Sequence, residues 1–485
     1  MRIRRIGGAL VALGVAGLTA FAQQSNAQSL QQPASYTSYT YDAYAQDEEA
    51  ASPSDEEPAA PEPADEADMD AEDESAAAAE EAEECDECAE AEEEGPYRVF
   101  SGCWLDEHNI TIAGWINGGY TWNPDNPGNG YNGPVTFQDR ANEGQLNQAY
   151  WYAQKSLDTE CGFDVGGRVD LLYGTDYFYT TALGLETEND GTQKWNEDKP
   201  NDPIRRAAQY GLAMPQVYAE FGYYDLSVKV GHYYAPIGYQ VVTAPGNFFI
   251  TQPYTFQYGE PFTQTGALAT YKLNDRVSVI GGIDRGWDKW EDDNDNLSGL
   301  AGFFWTSENG KTAIAWAGTS GDENAITGIT GNRSLSSLVV TRNLTDKWQY
   351  VFQNDIGWQD DAAQNPFGGP VEDAEWYGVN QYLFYTVNDC WKVGFRGEWF
   401  RDDDGARVRF FDNLADNEAN WYEVAAGLNY FPNKNVTFRT EARWDWSDGR
   451  LPPSAGTGSP TTLQPYDDLS DGSRFIWTSD VIVQY

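Results

Sequence analysis

Histidine, cysteine and methionine are scarce in this 485-residue chain, which contains two, five and three of them. The two histidines, His108 and His232, lie far apart in sequence. This argues against a histidine-based zinc site and against a Ser–His hydrolase. The G-x-S-x-G, H-E-x-x-H and glycine-rich phosphate-loop motifs are missing as well. We therefore expect no enzyme, no metal site and no cofactor.

Basic residues are also scarce, with 30 Lys and Arg against 77 Asp and Glu and a formal net charge of -47. A chain this acidic offers no basic surface for nucleic acid. The acidic residues concentrate in residues 42–95, which contain 25 Asp and Glu and neither Lys nor Arg. Such a stretch cannot bury enough apolar surface to offset its ordering entropy. We expect residues 28–95 to form a disordered periplasmic tail. It would be either a solvated spacer, or a tether or weak binder of divalent cations or envelope polymers.

Long hydrophobic runs are missing after residue 22, so no later segment can form a membrane-spanning helix. The start of the chain is different. Three arginines within the first five residues precede a short apolar run at residues 6–21, which is the pattern of a secretory signal peptide. Cleavage fits after Ala22 or Ala27, so we assign residues 1–27 to the signal and expect the mature chain outside the cytoplasm.

Aromatic residues and glycine are abundant, with 30 Tyr, 22 Phe, 18 Trp and 48 Gly, although the mean hydropathy is -0.62. A membrane barrel has this character because lipid-facing apolar residues alternate with lumen-facing polar ones. Residues 436–446 show the alternation, with Phe438 and Trp444 on one face and Arg439 and Glu441 on the other. Period-two alternation is typical of a strand between two different environments.

Similar segments recur from residue 96 to the C-terminus, joined alternately by short turns and long polar loops. Outer-membrane barrels combine short periplasmic turns with long extracellular loops. We therefore predict that residues 96–485 form an all-β fold, a transmembrane antiparallel β-barrel of about 16 strands. The predicted strands are residues 110–120, 146–155, 163–173, 215–223, 226–231, 266–272, 276–283, 299–305, 312–318, 335–341, 348–358, 376–386, 390–400, 421–431, 436–446 and 475–485.

The last predicted strand ends the chain on an aromatic residue. An aromatic terminus that closes an alternating strand resembles the signal by which the barrel assembly machinery recognises outer-membrane proteins for insertion. Trp and Tyr near other strand ends suit the girdles that contact membrane lipid. We therefore expect the outer membrane of a Gram-negative-type envelope. The candidate insertion signal is Phe475, Trp477, Val481, Val483 and Tyr485.

Three stretches are more specific: VGHYYAPIGY at residues 230–239, APGNFF at 244–249 and GEPFTQTGAL at 259–268. Together with Gly114-Trp115 and the aromatic terminus, they resemble the OmpL-like β-barrel porin-2 family of outer membranes. The resemblance covers roughly residues 104–485 and leaves out the acidic tail. It implies a porin-like barrel and says little about the solute.

Residues 232–265 join the predicted fifth and sixth strands and are unusually aromatic for a loop. In sixteen-stranded general porins the equivalent loop folds into the barrel and narrows it. The alternative is a surface loop packed on its neighbours, or a contact between the subunits of a trimer. The candidate constriction residues are Tyr233, Tyr239, Phe248, Phe249, Tyr254, Phe256, Tyr258 and Glu260.

Charged residues at inward positions of the strands are candidates for ion selectivity, which depends on the side chains that line a pore. The alternative is that they pair across strands and make the wall rigid. Because the excess of acidic residues attracts cations, we expect a weak cation preference. The candidates are Arg168, Asp170, Glu220, Lys229, Lys392, Arg396, Glu398, Arg439, Glu441 and Arg443.

Cysteines fall in the tail and at the predicted periplasmic rim. Cys85 and Cys88 form a C-x-x-C outside any thioredoxin-like context, which favours a local or intermolecular disulfide over redox catalysis. Cys103 precedes the first strand and Cys161 lies between the second and third. A disulfide between Cys103 and Cys161 is therefore a candidate, and Cys390 would be left free.

Passive diffusion of small hydrophilic solutes or ions through a water-filled barrel is the function that these features favour. A solute-specific channel would use the aromatic loop as a binding track. A structural or adhesive barrel would act through its loops and acidic tail. The pattern is compatible with a homotrimer and does not fix the oligomeric state.

Overall fold

The computed structural model describes part of the chain, and a short helix, α1 (Cys103–Glu107), precedes its sixteen strands. No helix among the described residues is long and apolar enough to cross a membrane. The described residues are 97–485 except 136, 189–190, 200–206, 326–327, 364–370, 409–417 and 451–462. The strands are β1 (Ile110–Trp122), β2 (Glu143–Lys155), β3 (Phe163–Gly174), β4 (Gly211–Tyr223), β5 (Leu226–Tyr234), β6 (Thr263–Asn274), β7 (Val277–Asp284), β8 (Ser298–Thr306), β9 (Thr312–Asn324), β10 (Thr330–Asn343), β11 (Trp348–Ala363), β12 (Glu372–Asn388), β13 (Trp391–Asp402), β14 (Ala419–Asn433), β15 (Val436–Ser447) and β16 (Ser473–Gln484).

The strands form a closed antiparallel barrel in which each strand pairs with its neighbours in sequence and β1 pairs with β16. Closure matters because an open sheet leaves a row of unpaired N–H and C=O groups, which a membrane interior cannot satisfy. The predicted fold class is confirmed, and each predicted strand coincides with an observed one.

Alternation along the strands separates two faces. On β15, Arg439 and Glu441 point inward and are 4% and 1% exposed, whereas Phe438 and Trp444 point outward and are both 48% exposed. The same pattern holds on β16, where Trp477 is exposed and the flanking Ile476 is buried. The outward face is therefore an apolar, aromatic-rich surface that suits contact with lipid.

The two ends of the barrel differ in their connections. At the short-turn end, strands are joined by segments such as 224–225, 275–276 and 389–390. At the long-loop end, the connections include residues 123–142 and 175–210. Both the described N-terminal residues and the C-terminus lie at the short-turn end, because β1 starts there and β16 finishes there.

One predicted long loop is much shorter than expected. β9 and β10 extend as far as Asn324 and Thr330, so most of residues 319–334 is strand. This part of the sequence is rich in Gly, Ser, Asp and Asn, which lowers its strand propensity. Cross-strand pairing outweighs that propensity, as at Glu323, which pairs with Gly331.

The Cys103–Cys161 disulfide that we predicted is not formed, because Cys161 is a free, exposed cysteine. Cys161 lies in the turn between β2 and β3, and Cys103 lies in α1 just before β1. A disulfide bond tolerates a Cα separation of at most about 7 Å. Here β2 lies between the two sites, because Cys103 leads into β1 and Cys161 leads into β3. The predicted signal peptide, acidic tail, Cys85 and Cys88 lie outside the described residues.

The C-terminal Tyr485 stabilises the pairing of β1 with β16, which closes the barrel. The main chain of Tyr485 makes two hydrogen bonds with Gly114 on β1, both 2.9 Å long. The Tyr485 hydroxyl donates to the carbonyl oxygen of Tyr150 on β2 at 3.0 Å. The ring reaches across β1 because Gly114 has no side chain, since a Cβ there would lie 2.8 Å from the Tyr485 hydroxyl oxygen.

Gly114→Ala should therefore destabilise the barrel by about 1–3 kcal/mol, because the added methyl group displaces the Tyr485 ring and crowds the Tyr150 carbonyl. Unfolding in guanidinium with the protein in detergent micelles measures the change. Gly281→Ala is the matched control, since a Cβ on this exposed strand glycine meets no atom within 4 Å. Equal stability of the two variants would contradict the role given to Gly114.

Candidate functional site: the inner loop and the barrel interior

The connection between β5 and β6, residues 235–262, lies inside the barrel and is called the inner loop here. Its sequence opposes continuation of the strands, because Pro236, Pro245, Pro253 and Pro261 lack the N–H that a sheet requires. The loop also binds itself: the Asn247 side chain accepts from the Val241 N–H at 3.0 Å and donates to its carbonyl oxygen. The loop is thus a compact unit with its own turns.

Two carboxylates on the barrel wall hold the backbone of the inner loop. Glu398 on β13 accepts the N–H groups of Tyr254 and Thr255 at 2.7 and 2.6 Å. Glu441 on β15 accepts the N–H groups of Ile250 and Thr251 at 2.7 and 3.0 Å. Backbone N–H groups buried in the interior need such partners, because an unmade hydrogen bond costs about 1–3 kcal/mol.

Three arginines of the same wall bind the carbonyl groups of the loop. Arg396 donates to the Thr251 oxygen at 2.7 Å, and Arg443 donates to the Gln252 oxygen at 2.6 Å. Arg439 donates to three loop carbonyls, of which Asn247 is the nearest at 2.7 Å. The β13–β15 side of the barrel is therefore a polar wall that matches the loop backbone group by group.

Each of these arginines is also paired with an acid on its own strand or on the next one. Arg396 contacts Glu423 on β14 at 2.8 Å. The corresponding distances are 2.6 Å for Arg439 to Asp480 and 2.7 Å for Arg443 to Asp445. Burying an arginine is tolerable only with such partners. These charges therefore pair with one another and with the loop, which is the alternative role considered for them in the sequence.

The opposite side of the barrel is apolar where the inner loop touches it. Ile237 of the loop belongs to a buried cluster that includes inward side chains of β6 to β10. Tyr254 lies on the other side, where its hydroxyl donates to Asp445 on β15 at 2.8 Å. Our expectation of polar inward residues was wrong for the β6 to β10 wall, because these positions face the loop and not water. The inward residues of that wall in the cluster are Leu268, Ile280, Leu300, Ala317 and Leu335.

Aromatic side chains fill the space between the inner loop and β12. The ring of Tyr239 lies 4.8 Å from that of Tyr382, and Phe248 lies 5.1 Å from Phe384. Phe249 is buried in the same cluster. Such ring pairs add about 0.5–1.5 kcal/mol beyond the area they bury. The remaining candidates, Phe256 and Tyr258, are buried and half-buried elsewhere on the loop.

Tyr233 differs from the other loop candidates because it belongs to β5, which continues to Tyr234. Tyr233 pairs with Gln264 on β6, so both strands extend further toward the long-loop end than the sequence indicated. Two consecutive tyrosines favour extended structure, and the Pro236 that follows ends it.

Two carboxyl groups meet where the inner loop contacts the barrel wall. Neither has a basic partner within hydrogen-bonding distance among the described residues. Glu260 of the loop and Asp355 of β11 share the side-chain amide of Gln353, at 2.5 and 2.9 Å. Ser337 donates to the second carboxyl group at 2.7 Å. Burial, followed by the Asp355 charge, raises the pKa of Glu260 well above its usual range. Burial therefore favours the protonated form of Glu260.

The other inward charges that we predicted lie on β3 to β5 and β13. Arg168 pairs with Asp170 at 2.6 Å. Glu220 and Lys229 are cross-strand neighbours on β4 and β5, and both are half-buried. Lys392 lies over the Phe384 ring at 4.8 Å, at the short-turn side of the inner loop.

Together the inner loop and the wall fill much of the barrel interior. A cavity of about 590 Å³, here called the mouth cavity, remains at the short-turn end. Its floor is the inner loop at Tyr239 and Phe248, and its rim includes Cys390 and Lys434. Inward side chains buried around the barrel include Gln148, Asp170, Gln216, Leu268, Ile280, Leu300, Ala317, Leu335, Gln353, Tyr382, Arg396, Ala425, Arg439 and Asp480.

Sequence reasoning missed several residues that hold the inner loop. Gln148 on β2 donates to the Val242 carbonyl at 2.8 Å and accepts the Ala244 N–H at 3.0 Å. Glu423 was missed because aromatic residues occupy both faces of the β14 sequence around it, which hides the inward face. Nothing in the sequence marked Gln353 as a functional residue, because uncharged amide side chains are common in strands. No group of three or more potential metal ligands occurs among the described residues.

Comparison with known proteins relates the chain to porins. The family model described as "Putative beta-barrel porin-2, OmpL-like" matches residues 109–484. No curated protein sequence matches the chain. The solved structures that are similar include OprB of Pseudomonas putida, at 10% identity over 81% of this chain and 99% of that one, with a TM-score of 0.49. They also include the anion-selective porin from Comamonas acidovorans, at 8% identity, 78% and 99% coverage and a TM-score of 0.47. The outer membrane protein OmpT of Vibrio cholerae is similar at 11% identity, 78% and 97% coverage and a TM-score of 0.45.

Glu398→Gln should lower the free energy of unfolding by about 1–3 kcal/mol, because the amide turns an N–H toward the loop N–H groups of Tyr254 or Thr255. Guanidinium unfolding in detergent measures this loss. Glu220→Gln is the matched control, since Glu220 is a half-buried inward glutamate on β4 whose cross-strand neighbour is Lys229 on β5. If the two variants lose equally little free energy of unfolding, Glu398 does not anchor the inner loop.

Glu260→Gln should flatten the dependence of stability on pH. The pKa of Glu260 is raised on folding, so the native protein keeps a proton that the unfolded chain releases above its ordinary pKa of about 4.3. Stability therefore falls as the pH rises above that value, and the variant removes up to about 1.4 kcal/mol per pH unit from the slope. Unfolding free energies measured from pH 5 to pH 9 test this, and an unchanged slope would contradict it.

Proposed function

The chain belongs to the OmpL-like β-barrel porin-2 family, and we propose that this outer-membrane porin conducts ions and small hydrophilic solutes passively through a constriction formed by the inner loop. The observation that supports the constriction is the polar wall, since buried side chains of β13 and β15 bind the loop backbone. A loop held in this way narrows the lumen at a fixed place. Only solutes small enough to pass the loop then cross the barrel.

The arrangement of charge favours a weak preference for cations. Arg396, Arg439 and Arg443 are each paired with a buried carboxylate of the barrel interior. At the long-loop end, the acidic residues around Glu375 and Asp404 outnumber the neighbouring Arg401. A channel entrance whose charges have one sign concentrates ions of the opposite sign. The acidic long-loop end should therefore enrich cations before they reach the inner loop.

The short-turn end corresponds to the periplasmic side, because outer-membrane barrels carry their short turns there. Lipid then surrounds the outward apolar band, and the long loops face outward from the cell. A homotrimer is part of the proposal, and it would cover part of the outward face. The match to a porin family supports a role as a channel, and no catalytic activity is part of the proposal.

A structural barrel that does not conduct is the second candidate, and the tight packing of the interior favours it. Buried side chains on most strands surround the inner loop. A barrel of this kind would act through its long loops. Stepwise current across a planar bilayer distinguishes the two candidates, because only a channel carries it.

The reversal potential in a salt gradient should show weak cation preference at pH 8 and a smaller preference at pH 5. Burial and then the neighbouring Asp403 raise the pKa of Asp404 to about 6, so this carboxylate loses its charge in that interval. Glu375→Gln combined with Asp404→Asn should lower the preference at pH 8. Asp346→Asn is the control, because this acid lies at the other end, 3.4 Å from Lys311. Anion preference at pH 8 would refute the proposal.

A further inference from the structure

The floor of the mouth cavity is an aromatic surface that the barrel wall holds in place. The Phe248 ring packs against two inward glycines, since a Cβ at Gly394 or Gly427 would come within 3.0 Å of that ring. The Phe248 carbonyl oxygen accepts from the Asn429 side chain at 3.1 Å, and the Tyr239 N–H donates to a side chain of β11 at 3.1 Å. Both aromatic rings are half-buried. A floor fixed in this way lowers the entropic cost of binding a ligand.

One side of the mouth cavity is apolar at positions that face the barrel interior. Ala313 and Ala315 on β9 line it together with Val339 on β10 and Phe304 on β8. The lumen of a water-filled barrel is lined by polar side chains, so apolar residues at these positions are a departure from that pattern. The small alanine side chains also leave room beside the floor. This side therefore suits a flat apolar group such as an aromatic ring.

The other side of the mouth cavity carries amide and hydroxyl groups, from Asn429 on β14 and Thr437 on β15. The Asn429 side chain is 3% exposed, and its oxygen accepts no hydrogen bond among the described residues. A buried polar atom of this kind calls for a partner. The neighbouring Arg439 is already bound to Asp480 and to the inner loop. Because amides and hydroxyls both donate and accept, this side suits the hydroxyl groups of an uncharged ligand.

We propose that the mouth cavity is a binding site for a small, uncharged solute that combines an aromatic ring with hydroxyl groups. The ring lies on the floor beside Phe248 and Ala315, and the hydroxyl groups face Asn429 and Thr437. The cavity volume of about 590 Å³ falls within the range of roughly 300–1,000 Å³ that is usual for small-molecule sites. The inference goes beyond the proposed channel function, because binding here requires no passage through the barrel.

The test is isothermal titration calorimetry of the folded full chain in detergent micelles with two uncharged glucosides. Phenyl β-glucoside carries the ring, and methyl β-glucoside carries the same sugar without it. The phenyl compound should bind about 10- to 100-fold more tightly, which is the ratio expected for burying one aromatic ring. Injections into protein-free micelles correct for partitioning of the ring into detergent. Equal affinity for the two glucosides, or no detectable binding of either, would overturn the proposal.

A pair of variants locates the binding. Ala315→Trp fills the space beside the floor and should lower the affinity for phenyl β-glucoside by about tenfold or more. Ala301→Trp is the matched control, since Ala301 is an exposed, outward residue of the neighbouring β8, and it should keep the wild-type affinity. Wild-type affinity in a folded Ala315→Trp protein, or an equal loss in both variants, would contradict binding in the cavity. The comparison of the two glucosides on the wild-type protein decides the proposal without any variant.

The outcome is independent of conduction, because heat and not current is the readout. A barrel that carries no current still tests the binding site. A barrel that conducts but does not distinguish the two glucosides keeps the channel function and loses the site.

Discussion

The ion-paired polar wall of β13 to β15 is the constraint on which the interior depends. A loop that enters a barrel brings backbone N–H and C=O groups into a space where they need protein partners. Glu398 and Glu441 accept the N–H groups, while arginines beside them donate to the carbonyls. Each of the three arginines is thereby used twice, once for the loop and once for an ion-pair partner. Changing one of them disturbs both.

This arrangement explains why one wall is charged and the other is apolar. The backbone of the inner loop faces β13 to β15, where charges are needed. Ile237 of the loop belongs to the buried cluster that contains Leu268 and Leu300 of the β6 to β10 side. The inner loop thus presents polar backbone groups to one wall of the barrel and an apolar surface to the other. Its position is fixed from two sides, which is why a constriction there can have a defined size.

The barrel could be predicted from the sequence because alternation is repeated sixteen times, and each repeat carries its own evidence. β15 is the clearest case, since its charged and aromatic residues separate into two faces. The extension of β9 was not predictable, because Ser320 and Gly321 have low strand propensity and are held in the strand by pairing with Ser334 and Arg333 on β10. The inner loop could be located from its aromatic residues. Its attachment could not, because the partners Gln148, Gln353 and Glu423 are distant in sequence and their residue types are common in any strand.

The single-channel conductance of the wild-type protein and of a Glu398→Gln, Glu441→Gln variant in planar bilayers tests the central claim most directly. If the polar wall holds the inner loop across the lumen, the wild-type protein gives small, discrete, ohmic steps, and the variant gives larger or more variable steps because the loop is released. Equal conductance in the two proteins, with both correctly folded, would show that the inner loop does not set the size of the passage.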